Sequence, residues 1–153
     1  MKLLVEAPLN RLSLGNVSYN IIRELQKKGV DIGIFPIGNP DLGAYQPSEE
    51  FKAYLQGAID KRYNFLKQEI PCLKIWHLNG SENRKNKRQY LLTFYECNRP
   101  TKVEVALAKA QDATFFSSSE AVNHFKNAGV DNADFAPLGL DEDFGPTNKP
   151  YLK

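Results

Sequence analysis

The sequence predicts an α/β fold, a doubly wound, mainly parallel sheet with helices on both faces. Three observations lead there. Short, almost wholly apolar runs recur along the chain, as expected of strands covered on both faces. Between them lie segments whose apolar residues recur at helical spacing. Gly or Pro closes most of these units, and the resulting βαβα order is that of a parallel sheet with crossover helices.

Lys2–Ala7 is the first apolar run, closed by Pro8, and Val17–Lys28 carries Val17, Ile21, Ile22 and Leu25 at helical spacing until Gly29. Val30–Ile37 is β-branched and apolar and reads as a second strand, followed by a loop with Pro36, Gly38, Asn39, Pro40 and Gly43. Ser48-Glu49-Glu50 then opens a long helix with Phe51, Tyr54, Leu55, Ala58, Ile59, Tyr63 and Leu66 on one side, ending by Pro71. Cys72–Trp76 and Gln89–Tyr95 are strand-like runs joined by the polar segment Asn79–Arg88. A parallel connection usually takes a dozen or more residues, so this pair is expected to be antiparallel or joined by an irregular crossover. Alternation resumes with a helix near Thr101–Ala110, a strand at Ala113–Ser117, a helix near Ser119–Ala128 closed by Gly129, and a strand at Ala133–Pro137. From Leu138 periodicity is lost. Residues 1–137 therefore read as one domain and 138–153 as a linker.

A chain of 153 residues, 42% of them hydrophobic, can build one ordinary core. Lys and Arg exceed Asp and Glu only by 20 to 18, which gives no sign of a nucleic-acid partner. The first apolar run is too short for a signal peptide and Glu6 interrupts it; no stretch approaches the roughly 20 apolar residues of a membrane span, so a soluble, cytoplasmic protein is expected. Cys72 and Cys97 have no CxxC spacing and no clustered histidines, which argues against zinc. If their strands run parallel, the thiols lie at opposite sheet edges, roughly 17 Å apart and beyond disulfide reach. Both read as reduced thiols.

Ligands of open α/β sheets bind outside the carboxyl ends of the strands, so residues just after each strand are the first candidates. Asn10, Ser13, Gly15 and Asn16 lie in the loop that feeds the first helix, where free N–H groups and a glycine would admit an anion; a plain turn is the alternative. Neither GxGxxG nor GxxxxGK is present, so a dehydrogenase or P-loop NTPase is unsupported. His77 follows the third strand and could hydrogen-bond a substrate hydroxyl or phosphate, or simply be satisfied by loop backbone. Glu96 could accept from sugar hydroxyls or cap a turn. Ser117-Ser118-Ser119 with Glu120 reads as a helix cap; Arg84, Lys85, Lys87 and Arg88 could attract a phosphate-bearing acceptor or an anionic surface but read more simply as a solvated loop, and His124 reads as structural or exposed.

Asp112-Ala113-Thr114-Phe115-Phe116 with Ser117–Ser119, Phe125, Gly129-Val130, and then Pro137-Leu138-Gly139-Leu140-Asp141 with Phe144 and Pro146, resembles the retaining GT-B glycosyltransferases of group 1 or family 4. There a serine helix leads to a Gly-Val turn, a last strand and a Pro-x-Gly-x-Asp…Phe-x-Pro linker. The first strand with Asn10, Ser13 and Gly15 looks like the family's glycine loop, and Thr93-Phe94-Tyr95-Glu96 with Pro100 is similar to the Phe-x-x-Glu…Pro segment of some viral and bacterial members, with one residue fewer between Phe94 and Glu96.

The resemblance implies the Rossmann-like N-terminal half of a GT-B fold. It places Gly15 near a donor diphosphate, His77 near the donor sugar or acceptor, and Glu96 near an interdomain cleft. Donor-phosphate contacts are expected from Asn10, Ser13, Gly15 and Asn16, and the catalytic setting from His77 and Glu96. The implied reaction moves a sugar from a nucleotide diphosphate sugar to an acceptor hydroxyl, with no cofactor and no bound metal. A C-terminal donor-binding domain is the expected partner, supplied by a truncated remainder or a second polypeptide, and this half alone is expected to be inactive. Exposed apolar groups on the face awaiting that domain would favour homo-oligomers. A non-catalytic α/β binding module and an adaptor for an anionic surface, drawing on the Lys61–Lys67 and Lys85–Arg88 segments, are the alternatives.

Overall fold

The computed structural model describes residues 1–139. Six strands form one all-parallel sheet in the order β2-β1-β3-β4-β5-β6, with β1 Lys2–Ala7, β2 Asp31–Pro36, β3 Cys72–Ile75, β4 Gln89–Thr93, β5 Ala113–Phe116 and β6 Ala133–Phe135. The helices are α1 Ser13–Lys27, α2 Glu49–Asp60, α3 Lys102–Lys109 and α4 Ser119–Asn127. The fold class is the one expected from the sequence.

Side chains alternate across the sheet, so the two faces can be read from register. On one face, Leu3, Val5, Ile32, Ile34, Ile75 and Leu92 form a continuous cluster with Leu14, Tyr19 and Ile22 of α1 and Phe51, Leu55 and Ala58 of α2. On the other, Leu91, Phe116 and Ala133 pack with Ala108 of α3 and Ala121, Val122 and Phe125 of α4. Phe116 stacks on Phe125 with ring centres 4.5 Å apart, and Tyr95 meets Phe125 edge-on at 4.9 Å.

The long helix expected after Ser48 is corrected by the structure. Ser48 caps it as the sequence implies, its side chain accepting from Phe51 N, but α2 ends at Asp60 and a 3-10 turn follows at Arg62–Phe65. The break is needed because Phe51 and Leu55 belong to one sheet face while Phe65 belongs to the other, in a small cluster with Leu4, Ile70 and Cys72. A straight helix cannot serve both. Phe65 reaches the sheet at Gly33, where a Cβ would lie 2.7 Å from its ring.

β3 and β4 are parallel, with Leu73 opposite Tyr90 and Ile75 opposite Leu92, so of the two expected connections the irregular crossover is the observed one. It carries no helix; polar side chains hold it down instead. Gln89 Nε2 donates to Ser81 O at 2.7 Å and to Gln111 Oε1 at 2.9 Å, and Asn86 Nδ2 donates to Phe65 O and Ile70 O at 2.9 and 2.8 Å. Arg84 bridges Asp112 and the carbonyls of Lys87 and Ala110. The basic stretch is thus exposed as expected, yet Arg84 is committed to anchoring the crossover.

Burial alone would raise the Asp112 carboxyl, but the Gln89 backbone N–H at 2.8 Å and the Arg84 guanidinium outweigh it and hold the acid below its ordinary range. Because the folded value is the lower one, this stabilisation is complete above the unfolded value near about 4 and is lost as pH falls through the native value. Asp112→Asn is therefore expected to lower stability at neutral pH and to flatten its decline in acid, measured by urea unfolding across a pH series.

Cys72 is buried at the start of β3 and Cys97 is exposed beyond β4; both are free. Burial, with the Glu6 carboxylate adding to it, pushes the Cys72 thiol up to about 12. Since the thiolate is the reactive form, a disulfide reagent at pH 8 is expected to titrate one thiol in the native protein and two after denaturation.

Candidate functional site

All six strands point the same way, so the loops after β1, β3 and β4 open on one edge of the sheet, which gathers Asn10–Asn16, His77 and Glu96 on that side. Within that edge they occupy separate settings. Asn10 folds onto the helix start, its Oδ1 accepting from Leu12 N at 3.0 Å while its carbonyl accepts from the Tyr45 hydroxyl. A Cβ on Gly15 would come within 2.7 Å of Asn10 N and closer still to its two oxygens. The glycine is therefore required by the close approach of Asn10, and the space above it is filled by protein. The first turn of α1 has no acidic residue, and its N-cap, Leu12, makes no side-chain cap, so the helix end keeps its partial positive charge. Ser13 and Asn16 are exposed on that turn.

His77 is exposed after β3, its ring edge-on to Trp76 at 5.2 Å. Glu96 is exposed after β4 and helps line a cavity of about 230 Å³ with Tyr95, Cys97, Ser118, Glu120 and His124. Ser118 caps α4 as expected, accepting from Ala121 N, and His124 Nε2 lies 3.7 Å from Glu120. Burial and the neighbouring Glu104 carboxylate push the Tyr95 phenol up to about 12, so it stays a neutral donor at physiological pH.

The larger cavity, about 590 Å³, holds none of the residues singled out in the sequence as strand-end candidates. It lies against the sheet face beneath the irregular crossover, lined by Glu6, Lys74, Trp76, Glu82, Arg84 and Lys85 among others. Glu6 and Lys74 are direct neighbours across β1 and β3, with side chains 9% and 2% exposed. Lys74 Nζ lies 3.4 Å from Glu6 Oε2 and donates to Asn83 O at 3.1 Å; Lys85 Nζ lies 3.6 Å from Glu6 Oε1 and 5.5 Å from the Phe35 ring centre.

No family model, curated protein or solved structure matches this chain. The fold and the side chains at the strand ends therefore carry the functional reading. Among the described residues no cluster of three or more His, Cys, Asp or Glu is arranged to hold a metal ion, and no helix is long and apolar enough to cross a membrane.

Glu6 and Lys74 were missed at the level of sequence because each stands singly in an apolar run. A usable signal existed. A charge inside a strand covered on both faces is costly unless paired, and two such charges of opposite sign on different strands point to each other.

Proposed function

We propose that this chain is the N-terminal half of a GT-B glycosyltransferase, carrying the acceptor side and completing its site with a donor-binding domain. The observation that carries this reading is the placement of Pro137 and Gly139 directly after the last strand of an all-parallel α/β sheet, where the family's Pro-x-Gly-x-Asp linker begins. The matching Asp141, Phe144 and Pro146 lie outside the described residues.

In this reading the donor is a nucleotide diphosphate sugar. The α1 N-terminus, with Asn10, Ser13, Gly15 and Asn16, meets the diphosphate through backbone N–H groups and the helix dipole. Asn10 already fills the space over Gly15, so the contact is made through the exposed first turn at Ser13 and Asn16. His77 and Glu96 stand at the strand ends, where they orient sugar or acceptor hydroxyls. Stabilising the departing diphosphate requires donors on both sides of it, which one half does not supply.

Isotope-shift titration with several nucleotide sugars is expected to move Asn10, Ser13, Gly15, Asn16, His77 and Glu96. Product analysis is expected to show transfer only when a donor-binding domain is added. Sugar transfer by the lone chain, or shifts confined to Arg84–Arg88, would overturn this assignment. A non-catalytic binding module is the second reading, favoured by the one observation that the larger cavity is built without any contribution from the strand-end candidates.

A further inference from the structure

The Glu6 side chain is nine-tenths buried, yet among the described residues its Oε2 has no hydrogen-bond partner. Its Oε2 is enclosed with only the loose Lys74 contact at 3.4 Å, and Lys85 stands off Oε1 at 3.6 Å. Buried carboxylates ordinarily accept several hydrogen bonds, and one left without them is costly. This one lines a cavity of about 590 Å³.

We infer that the cavity beneath the 76–88 crossover binds a neutral, hydroxyl-rich ring such as a pyranoside or cyclitol, with Glu6 as its buried hydrogen-bond acceptor. The charges of the lining nearly balance, which favours a neutral ligand: an anion would face the Glu6 and Glu82 carboxylates, while a cation would meet Lys74, Arg84 and Lys85. A hydroxyl suits the gap on both counts. Across 3.6 Å, one oxygen about 2.8 Å from each partner can accept from Lys85 Nζ and donate to Glu6 Oε1.

The remaining walls fit a ring. Trp76 is half-buried in the lining and offers an apolar surface for the C–H face of a sugar. The crossover closes against the indole at Gly80, whose φ of +90° is left-handed and where a Cβ would lie 3.2 Å from Trp76 Nε1. Glu82 is held at the rim, its carboxylate accepting from Gly80 N at 2.8 Å. This inference does not depend on the glycosyltransfer reading, whose residues do not line the cavity.

Trp76 is the chain's single tryptophan and lines this cavity, so its fluorescence, excited selectively over the seven tyrosines, reports on the cavity wall, and the amide shifts locate the contact. The full chain would be titrated with methyl glucoside, methyl mannoside, methyl galactoside, myo-inositol and, separately, inorganic phosphate, with backbone amide shifts recorded in parallel. The expected result is saturable change with at least one polyol, centred on Trp76, Gly80 and Lys85, and none with phosphate. Glu6→Gln is expected to weaken that binding about tenfold or more, as loss of a charged acceptor does. Trp76→Leu, at a half-buried position, repeats the test by amide shifts if the Glu6 variant fails to fold, again with a tenfold or greater loss. Absence of saturation with every polyol, or saturation by phosphate, overturns the inference. The nucleotide-sugar titration at the strand ends is a separate measurement, so either reading can fail without the other.

Discussion

Replacing Lys74 by alanine is expected to lower the free energy of unfolding by about 3–5 kcal/mol, among the largest single effects available in this chain. The side chain is 2% exposed and spans the gap between the sheet and the crossover, facing Glu6 and the Asn83 carbonyl. Its removal leaves a nine-tenths-buried carboxylate with only the partly exposed Lys85 for company, which places the loss toward the lower end of that range. Changing both partners to apolar residues of similar volume, Glu6→Leu with Lys74→Met, is expected to be close to neutral, because neither charge then has to be desolvated. Urea unfolding of the two single variants and the double variant separates these cases. A Lys74→Ala loss under about 1 kcal/mol, the ordinary worth of a surface pair, would mean that the pair is solvated.

Phe116→Ala is expected to cost a comparable 3–5 kcal/mol, roughly the usual range for truncating a buried phenylalanine. Phe116 is fully buried, stacks on Phe125, and stands edge-to-face with Tyr95, ring centres 6.5 Å apart, so truncation opens a void shared by β5, α4 and the segment after β4. Those neighbours are held by the sheet and by the Ser118 cap, which limits collapse into the void. The loss would appear as a lower urea midpoint with an unchanged slope, the sign that the native state has been weakened without being rebuilt. Phe116→Leu, which retains most of the volume, is expected to lose less than half as much.

These two effects come from opposite ends of what sequence reasoning can reach. Phe116 belongs to an apolar run whose burial follows from strand length and from the helix cap after it, so its place in a core is legible from local pattern. Lys74 sits in an equally apolar run, Cys72–Trp76, and nothing local distinguishes a lysine at a solvated strand end from one that is enclosed. The register that sets Glu6 beside Lys74 exists only once β1 and β3 have paired.

The fate of the 49–66 segment has the same origin. Its apolar residues keep helical spacing through Leu66, and spacing carries no information about which sheet face each one must reach. The demand that Phe65 cross to Gly33 ends the helix at Asp60. Gly15 is a milder case. Sequence reasoning could ask only whether a glycine before a helix admits an anion or makes a turn; the packing of Asn10 supplies the reason for the glycine and moves any anion contact to the exposed first turn.

By itself the sequence determined the α/β class, the chain order of strands and helices, and the caps at Ser48 and Ser118, all local matters of periodicity, capping chemistry and turn residues. Only the tertiary structure decided the parallel pairing of β3 with β4, the helix-free crossover, and the enclosure of Glu6 with Lys74 beneath it. The physical reason is range. Helix and strand preferences act over a few residues, whereas a buried charge pair and the cavity beside it arise from residues 68 positions apart, Glu6 and Lys74, that meet only when the sheet closes.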